Sequence, residues 1–392
     1  MSDPVVIVGM SRTPMGAFQG AFSSVSAPKL GAAAIKAALA ESGVAADKVE
    51  QTVMGCVLPA GQGQAPARQA AIYAGLGEHC EATTVNKMCG SGMQATIMAH
   101  DSIKAGSIDV AVSGGMENMT MAPYLLPKAR GGMRMGDQAV VDSMMYDGLT
   151  DAYEDSAMGA FADMIAKEYQ FTREQQDAYA IESVRRAKAA QENGDFEREL
   201  TPVTVKGRKG DTVVTEDEGP KNARPEKIPS LRAVFSKDGT VTAANASSIN
   251  DGAAALVLMR KSDAEKGGHK VIAEIISHAA HAHAPAYFTT APVHAMKKAL
   301  KKADWEASDV DLWEINEAFA VVPMIAMQEL GLDHDKVNVN GGACVLGHPI
   351  GASGARIMAT LIAAMEKRDA KTGVASLCIG GGEATAICLK RA

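Results

Sequence analysis

Two stretches near opposite ends of this chain spell the same unit. Ser91 and Gly92 open SGMQATIM, whose apolar residues have helical spacing, and DVAVSGGME follows it. Ser353 and Gly354 open SGARIMATLIAAM, and VASLCIGGGE follows that. Each copy runs glycine turn, helix, strand, glycine turn, the order from which an α/β layer is built. A single echo is weak evidence for duplication, because α/β proteins reuse this unit freely. Here each copy carries one candidate catalytic cysteine, which favours a fold made of two similar halves.

The rest of the chain fits that frame. Residues 4–9 and 49–57 read as strands, Ala27–Ser42 as a helix, 92–104 as a helix and 108–113 as the strand that it feeds. At 392 residues the chain exceeds what one compact core serves, so two domains or a duplicated domain with an insertion are expected. Composition changes between residues 120 and 246: methionine- and glycine-rich GGMRMGDQ and DSMMYDG, an amphipathic helix over 173–193, then the charged VKGRKGDTVVTEDEGPKNARPEK. This reads as an inserted loop domain that covers a binding site or makes subunit contacts. The predicted organisation is 1–119 with 247–269 as the N-terminal half, 120–246 as the insertion and 270–392 as the C-terminal half.

A net charge of -7 with both signs interspersed gives no support for a nucleic-acid partner. No apolar run approaches bilayer length and no basic segment precedes a long apolar one, so neither a membrane partner nor export is expected. Six cysteines without a CxxC pair point to free thiols in a reducing, cytoplasmic setting.

Chemistry concentrates in three glycine turns. Cys89, in NKMCGSGMQA, precedes a helix start where backbone N–H groups and the helix dipole favour an anion, and a lowered thiol pKa is expected there. The commoner fate of a free cysteine is a small buried hydrophobe, but Gly90, Ser91 and Gly92 favour a nucleophile that a substrate can approach closely. His348, in GHPIGASG, is placed to serve as acid or base rather than as a core imidazole. Cys378, ahead of three glycines, should emerge at the C-terminal edge of a strand. Asn316, in NEAFA, is costly to bury without partners; its bland reading is a helix N-cap. His278, His281 and His283 lie close in sequence, yet no carboxylate or thiolate spacing accompanies them, so no metal is assigned.

The motifs SRTPMGAFQGAF, NKMCGSGMQA, SGGMENMT, YLLPKARGGMRMG, VTAANASSINDGAAALVLM, NEAFA, NVNGGACVLGHPIGASGAR and CIGGG span nearly the whole chain, and with them it resembles the thiolase family, most of all its biosynthetic branch. The resemblance implies a five-layer α-β-α-β-α fold of two similar halves, an inserted loop domain that binds coenzyme A, and a homotetramer or dimer. It implies reversible condensation of two acetyl-CoA to acetoacetyl-CoA and coenzyme A through an acetyl-Cys89 thioester. Cys378 would move the α-proton, and His348 with a water on Asn316 would hold the enolate oxygen. Backbone N–H groups of Cys89 and Gly380 would hold the other oxyanion. Beyond the thioester substrates no cofactor is implied, and no monovalent cation is assigned.

The same resemblance places Ser247, Ala243, Phe235, Leu149, Met158, Ala318 and Phe319 along the pantetheine, with Phe288 narrowing the acyl pocket. Lys221 or Arg224 is assigned to the nucleotide phosphates from charge alone. Ala157 stands where the pattern often has histidine, and Glu383 where small or apolar residues are more usual. The rival readings are a degradative 3-ketoacyl-CoA thiolase of longer chains, a non-catalytic thiolase-like lipid binder, and a ketosynthase-like condensing enzyme. The second cysteine disfavours the last.

Overall fold

Val5 and Ile7 face one apolar core while Val6 and Val8 face another, the period-two signature of a strand buried on both sides. In the computed structural model, which describes residues 3–392, this strand (Val5–Arg12) lies in the middle of the main sheet. The strand order is Leu312–Ile315, Thr372–Ile379, Glu383–Arg391, Ala273–Ala282, Val5–Arg12, Asn250–Arg260, Val110–Asn118, Gln51–Gly55 and Glu81–Val85. Outward from the centre the halves repeat one pattern. Val5–Arg12 and Ala273–Ala282 each pair antiparallel with the next strand, which pairs antiparallel with a third, which pairs parallel with a fourth. The halves meet where Val6 opposes Glu274 and Ile7 opposes Ala273. The duplication expected from the two glycine-helix-strand units is therefore present in the topology.

Three large apolar cores fill the four interfaces between five layers, the middle core serving both faces of the central helices. Ser91–Lys104 and Ser353–Lys367 fill the middle, where Met93, Ile97, Ile357 and Leu361 pack with Ile7, Leu256 and Leu377. Ala27–Ser42 and Pro66–Ala74 cover one outer face through Leu30, Ile35 and Ala70. Ala291–Ala303 and Val321–Leu330 cover the other through Met296, Leu300 and Ile325. The two middle helices touch backbone to backbone at their N-termini. A Cβ on Gly354 would lie 2.3 Å from the Met93 nitrogen, and one on Gly92 would lie 2.9 Å from the Ala355 nitrogen, so only glycine fits at this crossing.

The strand expected over 108–113 runs further, from Val110 to Asn118. Gly114 and Gly115 do not end it: they stay in the strand because Cβ atoms there would meet the Ala254 and Gly351 carbonyls at 2.1 and 2.0 Å. The strand expected over 49–57 is Gln51–Gly55. Residues 120–246 add no strand to the main sheet; they contribute two small ribbons and the helices Met158–Glu168 and Arg173–Glu192, the latter opened by a Thr172/Gln175 capping box. Buried Arg12 fastens this segment to the central strand through Glu199 at 2.8 Å and Asp217 at 2.7 Å. Among the described residues no helix is long and apolar enough to cross a membrane.

Gly354→Ala forces one methyl into this backbone crossing. The expected cost is about 1–3 kcal/mol or more, as for other overpacked cores. Thermal unfolding of the variant checks it, and an unchanged midpoint would contradict the crossing.

Candidate active site

The turn that presents Cys89 is strained and braced. Met88 has a φ of 45°, in the left-handed region that a bulky side chain rarely adopts. Ser91 Oγ holds it there, donating to the Met88 carbonyl at 2.7 Å and accepting the Lys87 N–H at 2.8 Å. Gly90 lets the turn lie against the neighbouring strand, since a Cβ there would meet Ile379 Cδ1 at 2.3 Å. Lys87 pairs with Glu383, which ties the Cys89 turn to the glycine loop after Cys378 and gives the unexpected glutamate a structural role.

Cys89 is partly exposed and Cys378 is buried. Burial pushes the Cys89 thiol up to about 11; backbone N–H groups of Gly380 and of Cys89 itself oppose that rise, and the charge of Glu117 adds to it. The expectation of a lowered thiol pKa is thus overturned: the donors are present, but desolvation outweighs them. Cys378 is held well above the usual thiol range by burial and then by the charge of Cys89, so ionising one thiol disfavours ionising the other.

His348 lines an apolar cleft of about 370 Å³, and its Nε2 is buried without a partner. Burial, with the charge of Arg356, holds this imidazole down to about 3, so it is neutral at ordinary pH. Its Nδ1 lies 2.6 Å from Ser353 Oγ and 3.4 Å from Asn316 Nδ2. Asn316 Oδ1 faces Arg356, a donor only, at 3.4 Å, which turns the amide nitrogen toward His348. Ser353 Oγ also lies 3.0 Å from the Pro349 carbonyl. With its proton toward His348, the histidine presents an N–H at Nε2; with its proton toward Pro349, the histidine donates from Nδ1 and presents a lone pair. Asn316 follows the strand Leu312–Ile315, and the next helix starts at Val321 with Ala320 as its cap, so the N-cap reading of Asn316 fails.

Glu117, Glu317, Ser353 and Arg356 were not singled out by sequence reasoning. Glu117 accepts N–H bonds from Val57 at 2.9 Å, Leu58 at 3.1 Å and Gly351 at 2.9 Å, and burial raises it to about 7. Glu317 gathers Tyr179 and Ser183 of the inserted helix, Asn338 and the Cys344 N–H at 2.8–3.0 Å. For the two glutamates the available signal was an acid beside apolar or glycine residues, in GGMEN and NEAFA.

Leu149, Met158, Phe235, Ala243, Ser247 and Phe319 line the cleft with His348, and so does Ala157. A Cβ on Gly380 would sit 3.6 Å from Met158, so the Cys378 loop borders the cleft. Cys89 packs with Leu149, Ile249 and Ile350 in one apolar cluster. Three expected contacts stand elsewhere. Ala318 is buried and contributes its carbonyl to the Ser247 N–H at 2.9 Å. Phe288 lies behind the wall, edge-on to Phe319 with ring centroids 6.2 Å apart, because its segment Pro285–Thr290 packs into the C-terminal core. Lys221 borders a different groove with Val213 and Glu218, and Arg224 is exposed.

A duplicated α/β fold that sets two cysteines, a neutral histidine and an asparagine beside an apolar cleft defines a class of thiol-dependent acyl-transfer proteins. The model of the thiolase N-terminal domain matches residues 5–262, and that of the thiolase C-terminal domain matches residues 269–391. The chain belongs to the thiolase family. It is 49% identical to an acetyl-CoA acetyltransferase of Cupriavidus necator, covering 99% of both chains, and 48% identical to one of Schizosaccharomyces pombe, covering 99% of this chain and 98% of that one. The crystal structure of the Acat5 thiolase from Ascaris suum in complex with coenzyme A superposes with a TM-score of 0.94 at 44% identity, covering 99% of this chain and 100% of that one.

Because the free Cys89 thiol titrates at about 11, its reactive thiolate fraction grows as pH rises. Alkylation of Cys89 by iodoacetamide should accelerate roughly tenfold per pH unit from about pH 7 to about pH 10. A neutral His348 adds no inflection between. Peptide mass mapping after timed quenching measures this, and a plateau reached near neutrality would contradict it.

Proposed function

We propose that this chain condenses two acetyl-CoA to acetoacetyl-CoA and coenzyme A, reversibly, through an acetyl-Cys89 thioester. One observation carries the reading: an unpartnered buried Nε2 of His348 faces a cleft beside a cysteine whose sulfur meets two backbone N–H groups. The names of the relatives and the coenzyme A held by the Ascaris suum neighbour support it.

In the first step Cys89 sulfur attacks the thioester carbonyl while its proton passes to the lone pair of His348 Nε2. The carbonyl oxygen gains negative charge and is met by the N–H groups of Cys89 and Gly380. Collapse expels the coenzyme A thiolate, which takes the proton of the Cys378 thiol; the acetyl group stays on Cys89, and His348 keeps the proton that it received. In the second step the Cys378 thiolate so formed removes a proton from the methyl carbon of another acetyl-CoA. The enolate oxygen is held by the Nε2–H that His348 gained in the first step and by a water on Asn316. The enolate carbon attacks acetyl-Cys89, the C–S bond breaks, and the Cys89 thiolate recovers its proton from His348 Nε2, which leaves Cys378 as a thiol and the imidazole neutral. Ser353 Oγ, accepting from the Nδ1–H and donating to the Pro349 carbonyl, fixes the ring so that Nε2 presents a lone pair in the first step and a donor in the second. The thioester substrates are sufficient, with no further cofactor.

The pantetheine arm lies along Leu149, Met158, Phe235, Ala243 and Ser247 in this reading. Phe288 limits acyl length indirectly, by backing Phe319. Subunits associate as a homotetramer, and the edge strand Glu81–Val85, paired on one side only, is available for that contact.

Cys378→Ala should retain acetyl exchange between acetyl-CoA and free coenzyme A while losing about 10²- to 10⁴-fold in condensation, the usual contribution of a general base. Equal loss of both activities would remove Cys378 from the role of base. On a panel of 3-ketoacyl-CoA substrates, acetoacetyl-CoA should show kcat/KM roughly tenfold or more above a long-chain substrate. The reverse order would favour a degradative thiolase.

A further inference from the structure

We propose that His281, His283 and His294 form a binding site for one divalent transition-metal ion of the zinc, copper or nickel class, beside the glycine loop that follows Cys378. His281 and His283 are two residues apart at the end of the strand Ala273–Ala282, so they share a face; the helix Ala291–Ala303 brings His294 over them. One ring nitrogen from each lies within 4.8 Å of the others. The ring centroids are 4.5 Å apart for His281 and His294, and 5.0 Å for His281 and His283.

The lone pairs in this cluster are not used. His281 Nδ1 is buried without a partner. His283 Nε2 lies 2.8 Å from the Tyr287 carbonyl, an acceptor only, so the proton is on Nε2 and Nδ1 is left bare. A ring N–H fixed by a backbone carbonyl is the arrangement that orients metal-binding histidines.

The contrast with the other histidine cluster is chemical. There His278 Nε2 and His100 Nδ1 each lie 2.9 Å from Asp101 Oδ1, so the two ring nitrogens that face one another already share a carboxylate partner. Three imidazoles without a carboxylate suit zinc, copper or nickel rather than magnesium or calcium, and they leave a coordination position for water. The 4.8 Å spread is wider than the distance between donors bound to one ion at about 2.1 Å, and exposed His294 is the side chain that would swing inward. Lys297 and Lys298 oppose a cation, but both are exposed and solvent-screened.

The site would fasten three pieces of chain near the chemistry. His283 N–H donates to the Gly382 carbonyl at 2.9 Å, and Tyr287 lies in the segment that carries Phe288. Sequence spacing concealed the set because the third ligand comes from the next helix.

Co²⁺ titration of the full-length protein, followed by visible absorption, tests the proposal, with Zn²⁺ competition and calorimetry alongside. One Co²⁺ per chain should bind without a sulfur-to-cobalt charge-transfer band, which separates imidazole ligation from capture by Cys89 or Cys378. His281→Ala and His294→Ala should each weaken binding roughly tenfold or more. The double variant His100→Ala/His278→Ala should bind as wild type does, and Zn²⁺ should raise the unfolding temperature of wild type but not of His294→Ala. Absence of binding, ligation through sulfur alone, or unchanged affinity in His281→Ala would overturn the proposal.

Discussion

The backbone crossing of two helix N-termini at Gly92 and Gly354 is the contact on which the site depends. Cys89 lies just ahead of one helix and His348 ahead of the other, so the crossing that closes the central layer also brings the nucleophile turn to the histidine loop. Further glycines allow the same closeness: Cβ atoms on Gly55 and Gly115 would meet the Gly351 carbonyl at 2.5 and 2.0 Å. Glu117 then holds Gly351 and the Val57–Leu58 backbone in one buried carboxylate clasp. Packing at this density leaves little freedom for the reacting groups, which is what positioning in a low-dielectric site requires.

That density also fixes the electrostatics. A site dry enough to strengthen hydrogen bonds to an oxyanion is too dry to keep a thiolate and an imidazolium in the resting state. Cys89 is held up and His348 held down for the same reason, burial, so the pair waits uncharged. Charge develops only when a carbonyl arrives for the Gly380 and Cys89 N–H groups to meet. The nearby buried charges are compensated differently. Arg12 is paired twice, whereas Arg356 keeps Nε and Nη1 without hydrogen-bond partners, 3.7 Å from Glu314. Arg356 instead turns the Asn316 amide and lowers the His348 pKa, so its charge is felt at the site without being part of it.

Much of this was legible in the sequence, and the failures have physical causes. Ala27–Ser42 was readable to the residue because its apolar spacing and flanking residues agree. The glycine-helix-strand echo gave the duplication, and the three glycine turns gave Cys89, His348 and Cys378. Gly114 and Gly115 misled because glycine ends strands in general but here permits a close approach. The pKa of Cys89 could not be read from its turn, since burial by distant segments decides it. Phe288 stands behind Phe319 and Lys221 beside another groove, and neither placement was readable, because neither composition nor spacing reports which side of a loop faces a cleft. Glu383 was unexplained until its partner Lys87, distant in sequence, stood beside it, and His294 stayed hidden for the same reason.

The central claim is that Cys89, and not Cys378, carries the acyl group. Rapid quenching of the enzyme with labelled acetyl-CoA, followed by proteolysis and mass mapping under conditions that preserve thioesters, tests it directly. Label confined to the peptide bearing Cys89, at close to one acetyl per chain, is the expected result. Label on Cys378 or Cys344, or condensation without any acetylated enzyme, would contradict it.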